Sequence, residues 1–160
     1  MTVTVPGVPL RLTAGELGRE DVLALLQEHL AEMRATSPAE SVHALPVDAL
    51  RAAGVTFWTA RDGDALVGCG AVKHLGDRHA EIKSMRTAVA ARGRGVGQVV
   101  LRHLLDEVRR SGFVRVSLET GTQDHFAPAR RLYERHGFVP VGPFSDYALD
   151  PHSVFYSLRV

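Results

Sequence analysis

The stretch Arg92-Gly93-Arg94-Gly95-Val96-Gly97 lies between a strand-like run, Glu81–Thr87, and a helix-like run that begins near Gln98. The helix-like run repeats apolar residues at helical spacing, namely Val100, Leu101, Leu104, Leu105 and Val108. A glycine-rich turn at the start of a helix leaves backbone N–H groups unpaired, and glycine lets phosphate oxygens approach them closely. The stretch therefore predicts an anion-binding site where a strand leads into a helix.

The spacing of these glycines excludes two common phosphate-binding motifs. The stretch lacks the Gly-Lys-Ser/Thr ending of a P-loop. It also fails the Gly-x-Gly-x-x-Gly fingerprint of dinucleotide-binding folds, because the third glycine position is Gln98 counted from Gly93 and Val100 counted from Gly95. The remaining pattern, Arg/Gln-x-x-Gly-x-Gly, resembles the pyrophosphate-binding signature of the GNAT superfamily of N-acetyltransferases.

Three further segments carry the same resemblance. Ala80–Thr87 stands where a GNAT chain places its fourth strand, and Val114–Leu118 reads as the next strand. Ala129–Phe138 is similar to the segment Ala-x-x-Leu-Tyr-x-x-x-Gly-Phe of that superfamily. The resemblance covers the chain from about Gly63 to the end. On these motifs the chain is identified as a member of the GNAT superfamily. A group of small bacterial acetyltransferases in that superfamily is similar in four segments, Ser37–Leu45, Glu81–Thr87, Leu118–Gly121 and Asp150–Phe155.

The resemblance implies an α/β fold in which helices flank a mixed, mostly antiparallel sheet. The fourth and fifth strands of that sheet splay apart, and the pantetheine arm of the cofactor lies in the gap. We expect a single GNAT acetyltransferase domain over residues 1–160. The sequence pattern predicts an irregular Met1–Pro9, strands at Leu10–Thr13, Val55–Thr59, Ala65–His74, Phe138–Val141 and Ser153–Val160, helices at Asp21–Arg34 and Val47–Ala52, and turns at Arg61–Asp64 and Gly76–Asp77.

Composition restricts the class of protein. A chain of 160 residues with 45% apolar content can build one core, and a net charge of +1 gives no reason to expect nucleic acid or a membrane surface as a partner. Met1–Leu10 lacks the features of a signal peptide, and the single cysteine, Cys69, suits a reducing compartment. The eight histidines show no metal-ligand spacing. We therefore expect a cytoplasmic protein without a metal, and assembly into a homodimer stays open.

Acetyl transfer to an amine requires a base. An amine with a pKa near 10 is protonated at pH 7, and converting it to the neutral nucleophile costs about 4 kcal/mol of free energy. By resemblance, Glu81 on the fourth strand is the candidate base, and Glu119 near the end of the fifth strand is its rival. Tyr133 matches the tyrosine that points at the cofactor sulfur in this superfamily, and its phenol would protonate the leaving thiolate. A backbone N–H near Met85 or Arg86 would stabilise the oxyanion.

The resemblance also assigns contacts to acetyl-CoA. Backbone groups of the fourth strand would bind the pantetheine arm, and the glycine turn would bind the pyrophosphate. Many members carry an asparagine where this chain has Phe126. The contact that the asparagine makes must therefore come from elsewhere, such as Thr120 or Thr122, or be absent. The implied cofactor-binding residues are Met85, Arg86, Thr87, Arg92, Gly93, Arg94, Gly95, Val96, Gly97, Gln98, Thr120 and Arg130.

The acceptor is predicted from the polar loop Ser37–Leu45, which in this fold helps to build the acceptor pocket. Together with Arg86, the implied substrate-binding residues Ser41, His43, Lys83 and Glu119 suit a small polar amine that bears a carboxylate, such as an amino acid. Two alternatives stay open: acetylation of a protein or peptide amine, and a sensor module that binds acetyl-CoA without turnover.

Overall fold

The computed structural model describes the backbone of residues 2–5 and 8–160 and the side chains of residues 9–160. The strands are β1 (Thr2–Val5), β2 (Val8–Ala14), β3 (Val55–Asp62), β4 (Ala65–Gly76), β5 (His79–Thr87), β6 (Arg115–Gly121), β7 (Val139–Val141) and β8 (Ser153–Arg159). The helices are α1 (Glu20–Thr36), α2 (Val47–Leu50), α3 (Val96–Arg110) and α4 (Ala127–Arg135), with single 3₁₀ turns at Ala39–Ser41, Val89–Ala91 and Asp124–Phe126.

The strands form one sheet in the order β1-β2-β3-β4-β5-β6-β8-β7. Neighbouring strands are antiparallel except β5 and β6, which are parallel. The pairing of β5 with β6 is short, because it joins only His79–Glu81 to Arg115–Ser117. Beyond these residues the two strands separate. The predicted mixed, mostly antiparallel sheet with splayed central strands is confirmed.

A β-bulge in β5 accompanies the separation. Cys69 of β4 lies opposite Arg86, whereas Ala71 lies opposite Lys83, so β5 holds one residue more than β4 at this point. Ser84, at the bulge, has a positive φ of 55°. A bulge bends its strand and increases the local twist, so the second half of β5 turns away from the direction of β6.

Helix α3 packs against the centre of the sheet along its apolar face. Gly68 and Gly70 of β4 make this close approach possible, because a Cβ atom on either would lie 2.9 Å from a side chain of α3. The apolar cluster on this face includes Val100, Leu101 and Leu104, none of which is more than 1% exposed. This packing places the N-terminus of α3 beside the end of β5.

Helices α1 and α2 cover the opposite side through a second apolar cluster, made of Val22, Leu25, Leu26, Leu50, Phe57, Cys69 and Ala71. No helix within residues 8–160 combines the length and apolar character needed to cross a membrane.

Several predicted boundaries are wrong. The expectation of an irregular Met1–Pro9 fails because β1 pairs with β2; Met1, Pro6 and Gly7 lie outside the described residues. The predicted turn at Arg61–Asp64 is also too long, because Arg61 and Asp62 belong to β3. The Arg61 guanidinium is fully buried, where it donates to Glu16 at 3.0 Å and to Asp21 at 2.7 Å. Arg61 of β3 therefore pairs with carboxylates of the loop after β2 and of α1 instead of lying in an exposed turn.

Candidate active site

A groove of about 480 Å³ opens between the end of β5, the start of α3 and α4. Its wall includes the backbone of the glycine turn, in which Gly93 and Gly95 have φ values of 79° and 82°. Residues with side chains rarely adopt this left-handed conformation, so both glycines are required by the turn. Gly95 precedes α3 without a side-chain cap, and the first N–H groups of a helix have no partner within it. An anion bound in the groove would therefore lie at the positive end of the α3 helix dipole.

A second, smaller cavity of about 110 Å³ lies deeper between the splayed strands. Its polar lining comes from β5, β6 and two loops: Glu81, Lys83, Glu119, Thr120, His43 and Tyr147. The groove and the cavity share a wall formed by His29, Met33, Met85, Phe126, Ala129 and Tyr133. A ligand in the groove therefore meets a ligand in the cavity at this wall. We call the two spaces the donor groove and the acceptor cavity.

The acceptor cavity holds a hydrogen-bonded group of three side chains. The Tyr147 hydroxyl donates to Glu81 Oε2 at 2.5 Å and accepts from Lys83 Nζ at 2.6 Å. Lys83 Nζ also donates to Glu81 Oε2 at 3.2 Å. Burial raises the pKa of Tyr147, and the Glu81 carboxylate raises it further, so the phenol remains protonated.

Glu119 faces the same cavity from β6. Burial raises the pKa of Glu119 to about 7; Lys83 opposes this rise, whereas the carboxylates of Glu81 and Asp150 add to it. A carboxyl group with a pKa near the working pH exchanges protons readily in both directions. The cavity therefore contains one group suited to proton transfer at neutral pH.

Comparison with known proteins agrees with this geometry. The acetyltransferase (GNAT) family model matches residues 22–138 of the chain. The chain is 46% identical over 151 residues to the uncharacterized N-acetyltransferase YsnE of Bacillus subtilis, with 94% of this chain and all of YsnE covered. It is 48% identical over 145 residues to the uncharacterized N-acetyltransferase YedL of Escherichia coli, with 91% of each covered. The chain belongs to the acetyltransferase (GNAT) family.

Solved structures share the fold of this GNAT acetyltransferase. A structure from Klebsiella pneumoniae described as an acyl-CoA N-acyltransferase is 25% identical, with a TM-score of 0.76 over 94% of this chain and 97% of its own. The structure of yncA from Salmonella typhimurium, solved with its cofactor acetyl-CoA, is 17% identical, with a TM-score of 0.69 over 94% and 93%. The predicted family, fold and acyltransferase class are confirmed.

The donor groove brings together most of the residues that the sequence assigned to the cofactor. Its wall contains Met85, Arg86, Thr87, Arg92, Gly93, Gly95, Val96 and Gly97. Thr120 lies instead in the acceptor cavity. The remaining three assigned residues, Arg94, Gln98 and Arg130, line neither space.

Each of these three side chains has another partner. Arg94 donates to Asp62 at 2.8 Å, on the hairpin between β3 and β4. The Gln98 amide oxygen, in its hydrogen-bonded orientation, accepts from Arg102. Arg130 donates to the backbone oxygen of Gly121 at 2.6 Å and thereby joins α4 to the end of β6.

Phe126 forms part of the wall shared by the donor groove and the acceptor cavity. Its ring lies so close to Gly121 that a Cβ atom there would approach it to 2.3 Å. The aromatic ring presents an apolar surface to both spaces.

The side chain of Arg86 is engaged within the protein. It is 5% exposed and donates to Glu32 of α1 at 2.6 Å, with Glu28 at 3.7 Å. The hydrogen bond from Arg86 lowers the pKa of Glu32 to about 2. Because the Arg86 side chain faces the donor groove and not the acceptor cavity, it does not join Lys83 in the place where an acceptor carboxylate was expected.

The predicted acceptor loop contributes one side chain to the cavity wall. His43 lines the cavity and packs edge-on against Tyr147, with 5.0 Å between the ring centroids. Ser41 is buried outside the lining and donates to Asp150 at 2.6 Å. This hydrogen bond joins the loop after α1 to the loop before β8, and both loops close over the cavity.

Tyr133 lies at the shared wall, with its hydroxyl 3.8 Å from the sulfur of Met85. Burial raises its pKa, and the Glu119 carboxylate adds to the rise, so the phenol is a proton donor at neutral pH. In the described part of the chain, no three histidine, cysteine or acidic side chains are grouped so that they could hold a metal ion.

Sequence reasoning missed Tyr147 and His29. Tyr147 lies in an irregular loop without a motif, and only the fold brings it to Glu81. His29 projects from α1 into the shared wall, where burial and then the Arg86 charge lower its pKa to about 4. Its position four residues before Met33, which lines the same wall, was the available signal, because residues i and i+4 share a helix face.

Proposed function

We propose that this GNAT acetyltransferase transfers the acetyl group of acetyl-CoA to the primary amine of a small polar molecule, by direct attack in a ternary complex. The observation that carries the proposal is the wall shared by the donor groove and the acceptor cavity. A thioester that enters along the groove reaches this wall, which Met85 and Tyr133 help to form, and an amine in the cavity can attack it there.

Acetyl-CoA is the donor in this proposal. The unpaired N–H groups at the start of α3 and the Arg92 guanidinium suit its diphosphate, and the opened backbone of Met85–Thr87 suits the amides of the pantetheine arm. The solved relative that holds acetyl-CoA shares this fold. The domain that acts is the whole of residues 1–160, and a free, buried Cys69 is compatible with the proposed cytoplasmic location.

Glu119 is the base that we favour over Glu81. Glu81 Oε2 already accepts hydrogen bonds from Tyr147 and Lys83, which makes it a poor proton acceptor. Glu119 has a pKa near neutrality and lies close enough to Tyr133 to influence its titration. We assign Glu81 the role of positioning Lys83 and Tyr147.

The proposed step balances in protons and bonds. The acceptor ammonium gives one proton to Glu119, and its neutral nitrogen forms a C–N bond to the thioester carbonyl carbon. A backbone N–H of Met85 or Arg86 donates to the oxyanion. When the C–S bond breaks, Tyr133 protonates the thiolate, and the second proton of the attacking nitrogen restores the phenol. The products are the N-acetylated amine and CoA.

The enclosure of the acceptor cavity disfavours a protein or peptide acceptor. The Ser41–Asp150 hydrogen bond and the His43–Tyr147 contact hold two loops together at this face, and the cavity of about 110 Å³ favours a small acceptor over an extended chain. A sensor without turnover is disfavoured by the presence of both a base with a pKa near 7 and a protonated phenol at the shared wall.

The test combines calorimetric titration with acetyl-CoA and a thiol-release assay against amino acids, polyamines and short peptides. We expect acetyl-CoA binding and CoA release with a small amine. Glu119→Gln should keep donor binding and lose most of the rate, whereas Glu81→Gln should raise the acceptor KM. Donor binding without release on any acceptor would favour the sensor, and release on peptides alone would favour the macromolecular acceptor.

A further inference from the structure

We infer that Lys83 is the carboxylate-binding residue of the acceptor cavity, and that the acceptor is therefore a small amino acid rather than a simple amine or a polyamine. This inference rests on the proposed acetyl transfer and specifies its substrate class. It depends on three features of the cavity: the free hydrogen-bonding capacity of Lys83, the separation of charges along the cavity, and the closure of the cavity by two loops.

The Lys83 ammonium retains a donor for a ligand. Its side chain is 9% exposed, and a lysine ammonium carries three N–H donors. Two of them serve Glu81 and Tyr147. The third has no partner among the residues that the structure describes, and a buried charged donor without a partner costs free energy. A ligand oxygen would satisfy it, since Lys83 forms part of the cavity wall.

Lys83 is the one cationic group among the described residues that line the cavity. The other basic side chains of the lining are histidines, His29 on α1 and His43 on the loop. Both are neutral at pH 7, because burial lowers their pKa values and nearby cations lower them further. The acidic groups are Glu81, which pairs with Lys83, and Glu119, which is half-titrated near pH 7. An anionic part of a ligand thus has a single cationic partner there.

The two charged residues that could hold a zwitterion line the cavity from different strands. Glu119 lines it from β6, and its charge raises the pKa of the Tyr133 phenol. Lys83 lines it from β5 and donates to Tyr147, which in turn contacts His43. An amino acid fits this arrangement with its ammonium at Glu119 and its carboxylate at Lys83. A diamine would place its second cation against Lys83, where repulsion disfavours it.

The two covering loops limit the acceptor to a small molecule. The cavity measures about 110 Å³, which is comparable to the volume of a small amino acid. Ser41 and Asp150 hold the loops together over it at 2.6 Å.

The test compares each free amino acid with its carboxamide as acceptors of the unmodified enzyme, with CoA release as the readout. The pair keeps the same side chain but removes the negative charge. The amine of the carboxamide is less basic than that of the free amino acid, so a larger fraction of it is neutral at pH 7. A preference for the free acid therefore cannot come from amine basicity. We expect kcat/KM to favour the acid by roughly tenfold to a hundredfold, which is typical of a lost hydrogen bond to a charged group.

Lys83→Met, which keeps an unbranched side chain but removes the ammonium, should abolish this preference while acetyl-CoA affinity in calorimetry stays unchanged. Lys83→Arg should retain part of the preference because it keeps the charge. Arg135→Met is the control, since it removes one exposed positive charge from the end of α4 outside the cavity.

Equal or better turnover of the carboxamides by the unmodified enzyme would overturn the inference, as would a preference that persists in Lys83→Met. These outcomes are distinct from failure of the proposed function, in which no acceptor of any kind releases CoA. The comparison in the unmodified enzyme also remains decisive if Lys83→Met does not fold.

Discussion

The hydroxyl of Tyr147 donates a 2.5 Å hydrogen bond to Glu81, which links an irregular loop to the central splayed strand. The same hydroxyl accepts a hydrogen bond from Lys83, so one loop residue orients the side chains of both Glu81 and Lys83 on β5. Because its pKa is raised by burial, the phenol keeps its proton and the direction of the bond to Glu81 is defined. The geometry of the acceptor cavity thus depends on a side chain far from β5 in sequence.

We predict that Tyr147→Phe raises the acceptor KM and lowers kcat/KM by roughly tenfold, because Glu81 and Lys83 each lose a charge-assisted hydrogen bond. Acetyl-CoA affinity should not change, since Tyr147 does not line the donor groove. Steady-state kinetics with a varied acceptor, together with calorimetry for the donor, measure both effects.

Tyr156→Phe is the matched control. Tyr156 is buried, and its hydroxyl, like that of the partly buried Tyr147, donates to a glutamate, in this case Glu134 at 2.7 Å, but it lies outside the acceptor cavity. We expect Tyr156→Phe to lower the thermal stability without changing the acceptor KM. An equal loss of activity in both variants would show that Tyr147 acts through general stability and not through the cavity.

The difference between Tyr133 and Tyr147 shows what the sequence could predict. Tyr133 belongs to the contiguous segment Ala129–Phe138, whose resemblance to the superfamily segment Ala-x-x-Leu-Tyr-x-x-x-Gly-Phe can be recognised without a structure. Tyr147 reaches Glu81 only because β8 returns beside β6 and carries the preceding loop over the sheet. Contacts that depend on chain topology leave no local signal.

Activity should rise with pH through about 7. The pKa of Glu119 is raised to about 7 by burial, and the proposed base must be deprotonated before the acceptor proton can move. A plot of kcat/KM against pH should therefore show an acidic limb that ends near pH 7. If kcat/KM of the unmodified enzyme shows no acidic limb between pH 5 and 8, Glu119 is excluded as the base.

Glu119 should also make stability depend on pH. Its folded-state pKa lies above the unfolded value, so the native state binds the proton more tightly. The resulting stabilisation is complete below the unfolded pKa, near 4.5, and is lost as pH rises through about 7. The loss is at most about 3 kcal/mol for a shift of this size. Glu119→Gln should remove this component, and chemical denaturation at pH 5 and pH 8 would measure it.

The glycine turn allows a test of the donor groove that separates an effect on the binding site from left-handed backbone strain. Gly95→Glu places a side chain and a negative charge where the diphosphate is proposed to bind, and we expect acetyl-CoA affinity to fall by about a hundredfold or more. Gly112→Glu is the control, because Gly112 has nearly the same φ, 83° against 82°, at the other end of α3. Both variants should lose a similar 1–2 kcal/mol, roughly, from left-handed strain. Retained acetyl-CoA affinity in Gly95→Glu would mean that the turn does not bind the donor.

The glycine turn also shows that a sequence motif does not predict every side-chain contact. The glycines and Arg92 line the groove as the motif predicts, but Arg94, two residues away, pairs with Asp62. A positive charge within a phosphate-binding motif does not show where its side chain points, because that depends on which acidic group the neighbouring hairpin presents. The assignment of Arg130 has the same weakness, since its partners are backbone oxygens that a sequence cannot reveal.

Glu32 connects α1 to the donor groove, and its replacement should have more effect than that of its neighbour Glu28. Arg86, 5% exposed, donates to Glu32 at 2.6 Å and lies 3.7 Å from Glu28. Glu32→Gln leaves the buried guanidinium without its main anionic partner, so we expect a clear fall in melting temperature; Glu28→Gln, at an exposed position, should change it little.

The pH dependence of the melting temperature tests whether the Glu32 carboxylate stabilises the fold through its ion pair with Arg86. The hydrogen bond from Arg86 lowers the pKa of Glu32 to about 2, below its unfolded value of 4.5. A carboxyl group of this kind stabilises the fold above pH 4.5 and loses that contribution as pH falls toward 2. The difference in melting temperature between the unmodified protein and Glu32→Gln should therefore be largest near neutrality and shrink on acidification. A difference that stays constant from pH 7 to pH 3 would show that packing of α1, and not the Arg86–Glu32 ion pair, holds this side of the groove.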